Sequence, residues 1–280
     1  MSEKVRSIKD MKRLSKNRII GEILLDDSVI EFQGEGNTLI ALPPAGRGVA
    51  SEWNTTLRSA SIKFLGNQSI VMLAPSKWAY CIDVRIFSEC SLCCGDNFFN
   101  PRGGAMSFTV GEHSNVLMGS GGRVASRVQL VTSDQHPLYD MTSMTRINPS
   151  RSVLVGDKVW LGKDSLIMKG TQLGTGSTVA ARALVAGKRV PSYSLWGGVP
   201  AQQLREHVFS LGLYVDSLTP QETERVATQD SNYVFSKFHE QRTLNFDEVD
   251  GQIRSLTDID EKISFLMQFF DRGAIDRWFI

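Results

Sequence analysis

Between Val155 and Val190 the apolar positions of the chain recur every sixth residue. Val155, Leu161, Ile167, Leu173, Val179 and Val185 are all aliphatic, and the positions four further on, Val159, Ser165, Thr171, Ser177, Ala183 and Arg189, are mostly small. Glycine or alanine follows the aliphatic residue at Gly156, Gly162, Gly174, Ala180 and Ala186, with Met168 the exception. A helix repeats its apolar face every three or four residues and a half-buried strand every two, so neither explains this period. A solenoid with three flat sides does: each hexad is one side, its aliphatic residue points inward, its small residue fills the corner, and glycine eases the turn. One coil buries about three aliphatic side chains at about 1.5–3 kcal/mol each, against about 1–2 kcal/mol of backbone ordering per residue. Only a stack of coils, hydrogen-bonded along each face at about 4.8 Å, is stable.

Weaker copies of the pattern lie upstream in Gly36–Ile40, Gly66–Ile70 and Val110–Leu117, which places the start of the prism near Ser28. Asparagine after glycine, as at Asn37 and Asn67, suits left-handed corners. Two stretches break the rhythm and read as loops leaving the prism: Leu42–Val49, and Thr132–Arg151 with its prolines Pro137 and Pro149. Past Pro200 the pattern becomes helical. Gln203–Leu213, Thr219–Thr228 (a Thr N-cap with proline at N1) and Asp258–Asp271 are the expected helices, the last with Ile263, Leu266, Met267, Phe269 and Phe270 on its apolar face. The expected organisation is a basic lead-in over residues 1–27, a prism over 28–205 carrying a functional loop at 132–151, and a helical extension over 206–280. That extension would cap the open prism end, where sheet edges need cover, or pack between subunits. Docking to a membrane surface or partner is its alternative use.

Composition narrows the setting. With 41% hydrophobic and 22% charged residues the 280-residue chain reads as globular, and a net charge of +1 supplies no global field to recruit nucleic acid. Its apolar runs fall short of the roughly 20 residues a membrane span needs. The basic start lacks the apolar core of a secretory signal, so the expected location is the cytoplasm, with peripheral membrane association still open. Four cysteines, Cys81, Cys90, Cys93 and Cys94, are close in sequence but lack paired C-x-x-C spacing. They read as small apolar fillers of tight coils, with a zinc site as the alternative, and no metal is expected.

The stretch Val131-Thr-Ser-Asp-Gln-His-Pro-Leu-Tyr-Asp140, then Arg146–Gly162, then Trp196-Gly-Gly-Val-Pro-Ala-Gln-Gln-Leu-Arg205 resembles the hexapeptide-repeat acetyltransferases. Among them it is most similar to those that O-acetylate capsular and other surface polysaccharides. The likeness is dense over residues 131–205 and loose upstream. It implies a left-handed parallel β-helix assembled as a homotrimer, with active sites in the clefts between subunits, acetyl-CoA as co-substrate and a glycan as acceptor.

On this resemblance His136 is the general base, which suits an imidazole that takes a proton near neutral pH while a sugar hydroxyl attacks a thioester. Asp134 or Asp140 would accept its other ring N–H, a task a backbone carbonyl also performs. Trp160 would pack near the pantetheine arm or the acceptor, or simply cover the groove between subunits. Gly162, Ala180 and Ala181 would let the pantetheine lie flat, and Lys188, Arg189 and Arg205 would meet the nucleotide phosphates. The chain departs from the family pattern at Arg182, at the longer turn Ala186-Gly187-Lys188, and at Val199 before Pro-Ala. Arg102, Arg123, Arg127, Arg146 and Arg151 are candidates for an anionic sugar. Rival readings are a small-molecule acetyltransferase, acting on an antibiotic or a nucleotide-linked sugar, and a non-catalytic assembly module. A zinc carbonic anhydrase would need three converging histidines from His113, His136, His207 and His239, two of which fall in the tail.

Overall fold

The computed structural model describes residues 2–44, 53–100, 104–229, 235 and 245–270. The later part of the 42–49 loop, Arg102, His239 and the last ten residues lie outside the described residues, as do the side chains of Phe269 and Phe270.

The chain winds into a left-handed parallel β-helix with three faces. The first face runs from Val29–Phe32 to Leu184–Ala186, the second from Arg18–Ile20 to Arg189–Val190, and the third, in its regular part, from Arg123–Val124 to Leu195–Gly198. All six aliphatic residues of the hexad series are buried in the prism, Ile167 and Val185 on the first face, Val155 and Leu173 on the second, Leu161 and Val179 on the third. Paired strands there repeat every 18 residues, as Leu161 pairs with Val179, until the last coil, where Leu173 pairs with Val190 at 17. Upstream the repeat lengthens: Val71 pairs with Leu92 and Leu92 with Val116, 21 and 24 residues apart, which is why the period fades in the sequence.

The corners differ from the expectation. Left-handed φ angles fall on Lys158 (56°), Asp164 (60°), Gly170 (75°), Gly176 (72°) and Arg182 (60°), three residues before each inward aliphatic. Arg182, out of place against the family pattern, is therefore a corner residue, and the upstream corners use Gly36 and Gln68 rather than Asn37 and Asn67. The glycines that follow the aliphatic residues answer to stacking instead. A Cβ on Gly162 would sit 2.5 Å from the Ala181 amide nitrogen, and one on Gly156 2.6 Å from that of Thr175.

The prism begins earlier than Ser28. Arg18–Ile20, Ile23–Asp26 and Val29–Phe32 already form a complete first coil. Residues before it make a lid: Glu3–Val5 pairs antiparallel with Val29–Phe32, and Met11 and Leu14 pack on the core. At the other end Ala201–Arg205 folds back antiparallel on Leu195–Gly198, covering the terminal edge of the third face. The expected helix over Gln203–Leu213 is thus a strand followed by irregular chain, because that edge needs a hydrogen-bonding partner.

The second face is buried on both sides. Its outward residues Ile40, Ile70, Met72, Cys93, Leu117 and Leu154 lie under two helices, Phe246–Ser255 and Ile259–Phe270, which contribute Phe246, Val249, Ile253, Ile263 and Leu266. These helices run over the side of the prism rather than across its end, and Met267, expected inward, is 45% exposed. Asp250 anchors the first of them, accepting from Asn115 Nδ2 at 2.9 Å and Ser152 Oγ at 2.5 Å, and Asp247 meets Arg189 at 2.7 Å. Cys90 and Cys94 fill the core; burial pushes their thiols up to about 11 and about 12. No helix among the described residues is long and apolar enough to cross a membrane.

Candidate active site

The loop that carries His136 is an insertion in one coil. Leu130 and Ile167 pair at a separation of 37 residues instead of 18, so 19 extra residues leave the edge between the first and second faces. Its two ends are joined by the Arg151 N–H donating to the Thr132 carbonyl at 3.2 Å, and Thr132 Oγ1 accepts from the Gly111 amide at 3.0 Å. The tip is a small hairpin in which the Ile147 N–H donates to the Leu138 carbonyl (2.8 Å) and Tyr139 bridges Arg146.

Asn148 is the hub that fixes this loop. Its Oδ1 accepts from the Leu138 N–H at 2.6 Å and from Arg146 Nε at 3.3 Å. Its Nδ2 donates to Asp134 Oδ2 and to the His136 carbonyl, both at 2.9 Å. Lys169, from the next coil, donates to Asp134 Oδ2 at 2.5 Å and to the Asn148 carbonyl at 3.0 Å. A second clamp joins Arg146 to Glu112 through two parallel bonds of 2.7 and 2.9 Å, and Glu112 also accepts from the Ser150 hydroxyl. Hydrogen bonds from Arg146 and then Ser150 hold the Glu112 carboxyl down at about 2. None of Asn148, Lys169 or Glu112 stood out in the sequence. The usable signals were an Asn-Pro closing the inserted segment and a lysine at the corner on the following coil.

Within this frame His136 is exposed, and its backbone is fully engaged, with the N–H on the Asp134 carbonyl at 2.8 Å. Gln135 before it has a left-handed φ of 65°. Among the described residues no group hydrogen-bonds the His136 imidazole. The aspartates expected to do so are committed elsewhere in the chain. The Asp134 carboxyl is held below its usual range by Lys169 first and also by Asn148. Asp140 accepts from the Thr142 N–H (3.0 Å), the Ser143 N–H (2.7 Å) and the Ser143 hydroxyl (2.9 Å), which lowers it too and closes the hairpin turn.

The other expected residues lie on different sides of the prism. Trp160 is 45% exposed on the third face, opposite the edge from which the His136 loop leaves. Gly162, Ala180 and Ala181 stack tightly just beyond it, where the third face turns into the first. Lys188 and Arg205 are exposed, whereas Arg189 is tied to Asp247 on the second face. One chain therefore does not bring His136 and Trp160 together. Of the arginines considered for an anionic sugar, Arg127 is forked onto Asp164 at 2.7 and 2.8 Å, Arg146 onto Glu112, and Arg123 donates to the Ser210 carbonyl at 2.8 Å. His113 pairs with Glu89 at 3.1 Å.

Three parallel faces, left-handed corners and one long loop bearing Asp134-Gln-His136 give the chain a left-handed β-helix fold that it shares with solved acetyltransferase structures, and parts of its sequence are similar to O-acetyltransferases. It is 26% identical over 117 residues to a polysialic acid O-acetyltransferase of Neisseria meningitidis, covering 42% of this chain and 53% of that one. It is 34% identical over 105 residues to a polysialic acid O-acetyltransferase of Escherichia coli O1:K1, covering 38% and 34%. A chloramphenicol acetyltransferase of Escherichia coli matches at 42% over 53 residues, covering 19% and 25%. The matches thus span about half or less of these relatives. The solved structure of the polySia-specific acetyltransferase NeuO shares the fold, with a TM-score of 0.58 at 22% identity over 76% of this chain and 96% of that one. The polysialic acid O-acetyltransferase OatWY does so with 0.52 at 20% identity over 74% and 95%. No family model matches the chain.

Proposed function

We propose that this protein transfers the acetyl group of acetyl-CoA to a hydroxyl of a surface polysaccharide, with His136 as general base. The observation that carries the reading is that the loop ties down nearly every polar group around His136 while leaving its imidazole available. The imidazole takes the acceptor's hydroxyl proton as the oxygen bonds to the thioester carbonyl carbon. The C–S bond then breaks, and the imidazolium returns the proton to the thiolate. A preorganised backbone N–H would stabilise the oxyanion between these steps.

The site is completed between copies of the chain in a homotrimer. In support, His136 and Trp160 sit on opposite sides of one prism, and the helices over the second face leave the first face and the Trp160 end of the third for neighbours. The loop tip also exposes Met141 (92%) and Met144 (76%), which a neighbouring subunit would cover. The shallow edge at Gly162, Ala180 and Ala181 suits the pantetheine arm, and the exposed cations Lys188 and Arg205 suit the nucleotide phosphates. Arg189 drops out of this set because Asp247 occupies it. Acceptor orientation of the imidazole by Asp134 or Asp140 would require a rearrangement of their present bonds. Acetyl-CoA use places the reaction in the cytoplasm. A small-molecule acceptor is the second reading, favoured by the short stretch of 42% identity to a chloramphenicol acetyltransferase.

The test is release of free thiol from acetyl-CoA by wild type and His136→Ala against polysialic acid, other surface polysaccharides, nucleotide sugars and chloramphenicol. A glycan that accelerates release, with a loss of at least about 100-fold in the variant and unchanged CoA binding, supports the proposal. Turnover of the small acceptors alone supports the second reading, and absence of CoA binding refutes both.

A further inference from the structure

Resting on the reading above, we infer that the outward side of the third face, on the N-terminal side of Trp160, is a track for an extended anionic carbohydrate chain. Phe99, Arg123 and Trp160 pair in register on successive coils and share that outward side, their neighbours Phe98, Val124 and Leu161 being buried in the core. Trp78, from the coil before, meets Phe99 edge-on at 5.0 Å and is 43% exposed. Lys77 Nζ lies over the Trp78 ring at 5.5 Å.

With strands about 4.8 Å apart, this row of three rings and two cations runs about 15 Å along the prism axis, the length of several sugar residues rather than one. Aromatic faces exposed to water in a line pack well against the C–H faces of pyranose rings, which are apolar on one side and hydroxylated at the rim. Interleaved cations add recognition of a carboxylate repeated along the polymer. Arg123 is half-buried and held by the Ser210 carbonyl, so its charge is fixed in place before a ligand arrives. The track ends at Trp160, where the proposed reaction takes place, so a chain lying along it presents successive residues to the site.

The experiment uses the full chain, Trp78→Ala and Trp78→Phe, with purified polysialic acid fragments from two to about ten residues and neutral dextran as a control. Binding is measured calorimetrically without acetyl-CoA, so the result stands apart from whether acetyl transfer occurs. Expected for Trp78→Ala is a loss of affinity that grows with fragment length to about tenfold, rescued by Trp78→Phe, with weaker binding of dextran throughout. A loss independent of length, no loss, or equal binding of dextran overturns the inference. So does dissociation of the oligomer by Trp78→Ala in sedimentation without a change in glycan binding, which would make the row a subunit contact.

Discussion

Replacing Asn148 by alanine should loosen the His136 loop while leaving the prism intact. The side chain makes three hydrogen bonds of 2.6–2.9 Å, to the Leu138 N–H, Asp134 and the His136 carbonyl, and a fourth at 3.3 Å to Arg146. Each is worth about 0.5–1.5 kcal/mol net, and for a half-buried group the total is about 2 kcal/mol. Local opening of the loop should then become about 30-fold more frequent. In hydrogen exchange the Leu138, His136 and Ile147 amides should speed up by that factor, while amides of the coils such as Ile167 and Leu173 keep their protection. Thiol release should fall as the ordered loop becomes less populated. Asn148→Asp keeps the acceptor, loses both donors and sets a second carboxylate against Asp134, so its effect should be at least as large. Unchanged exchange at His136 and Leu138 in Asn148→Ala would refute the idea that this side chain holds the loop.

The loop should also loosen in acid. Glu112 titrates at about 2 in the folded chain against an ordinary 4.5, so its contribution is whole above pH 4.5 and is lost as pH falls toward 2. Because the carboxylate is 44% exposed, screening reduces that contribution to about 1–2 kcal/mol. Proteolysis or exchange of residues 138–147 followed from pH 5 to 2 should show the loss in wild type and a smaller one in Glu112→Gln, limited to the shares of Asp134 and Asp140; identical profiles would contradict the assignment. Asp250→Ala leaves the Asn115 amide and Ser152 hydroxyl without their acceptor and should lift the helix Phe246–Ser255 at a cost of about 2–4 kcal/mol. Faster exchange in that helix and binding of an apolar dye at the uncovered second face are the readouts, and neither should change if the helix is held by its apolar side chains alone.

Much of the site's scaffold was legible because its cause is local. The inserted loop showed as a gap in the six-residue rhythm, and the resemblance marked His136 within it as the candidate base. Its support did not show, since Glu112 and Lys169 reach the loop from neighbouring coils, 34 and 35 residues from their partners Arg146 and Asp134. Asp134 and Asp140 looked like partners of the histidine because they flank it in sequence, yet the nearest acceptable donors for each were a lysine from the next coil and the turn amides beside it.

The hexad period by itself determined the prism, because a three-sided coil is the regular backbone path that turns every sixth side chain inward, and this constraint acts residue by residue. It also determined that something interrupts the prism after Val131. Which residues form the left-handed corners was decided by coil stacking, which reserves the glycines for close backbone approach and leaves Lys158, Asp164 and Arg182 to turn. Only the tertiary structure decided that Ile40, Met72, Leu117 and Leu154 would be covered by helices more than 90 residues further along, that Arg189 would meet Asp247, and that His136 and Trp160 would stand on opposite sides of one chain. Contacts of that kind depend on which surface remains unpaired once the coils have stacked, and a surface of that sort exists only after folding.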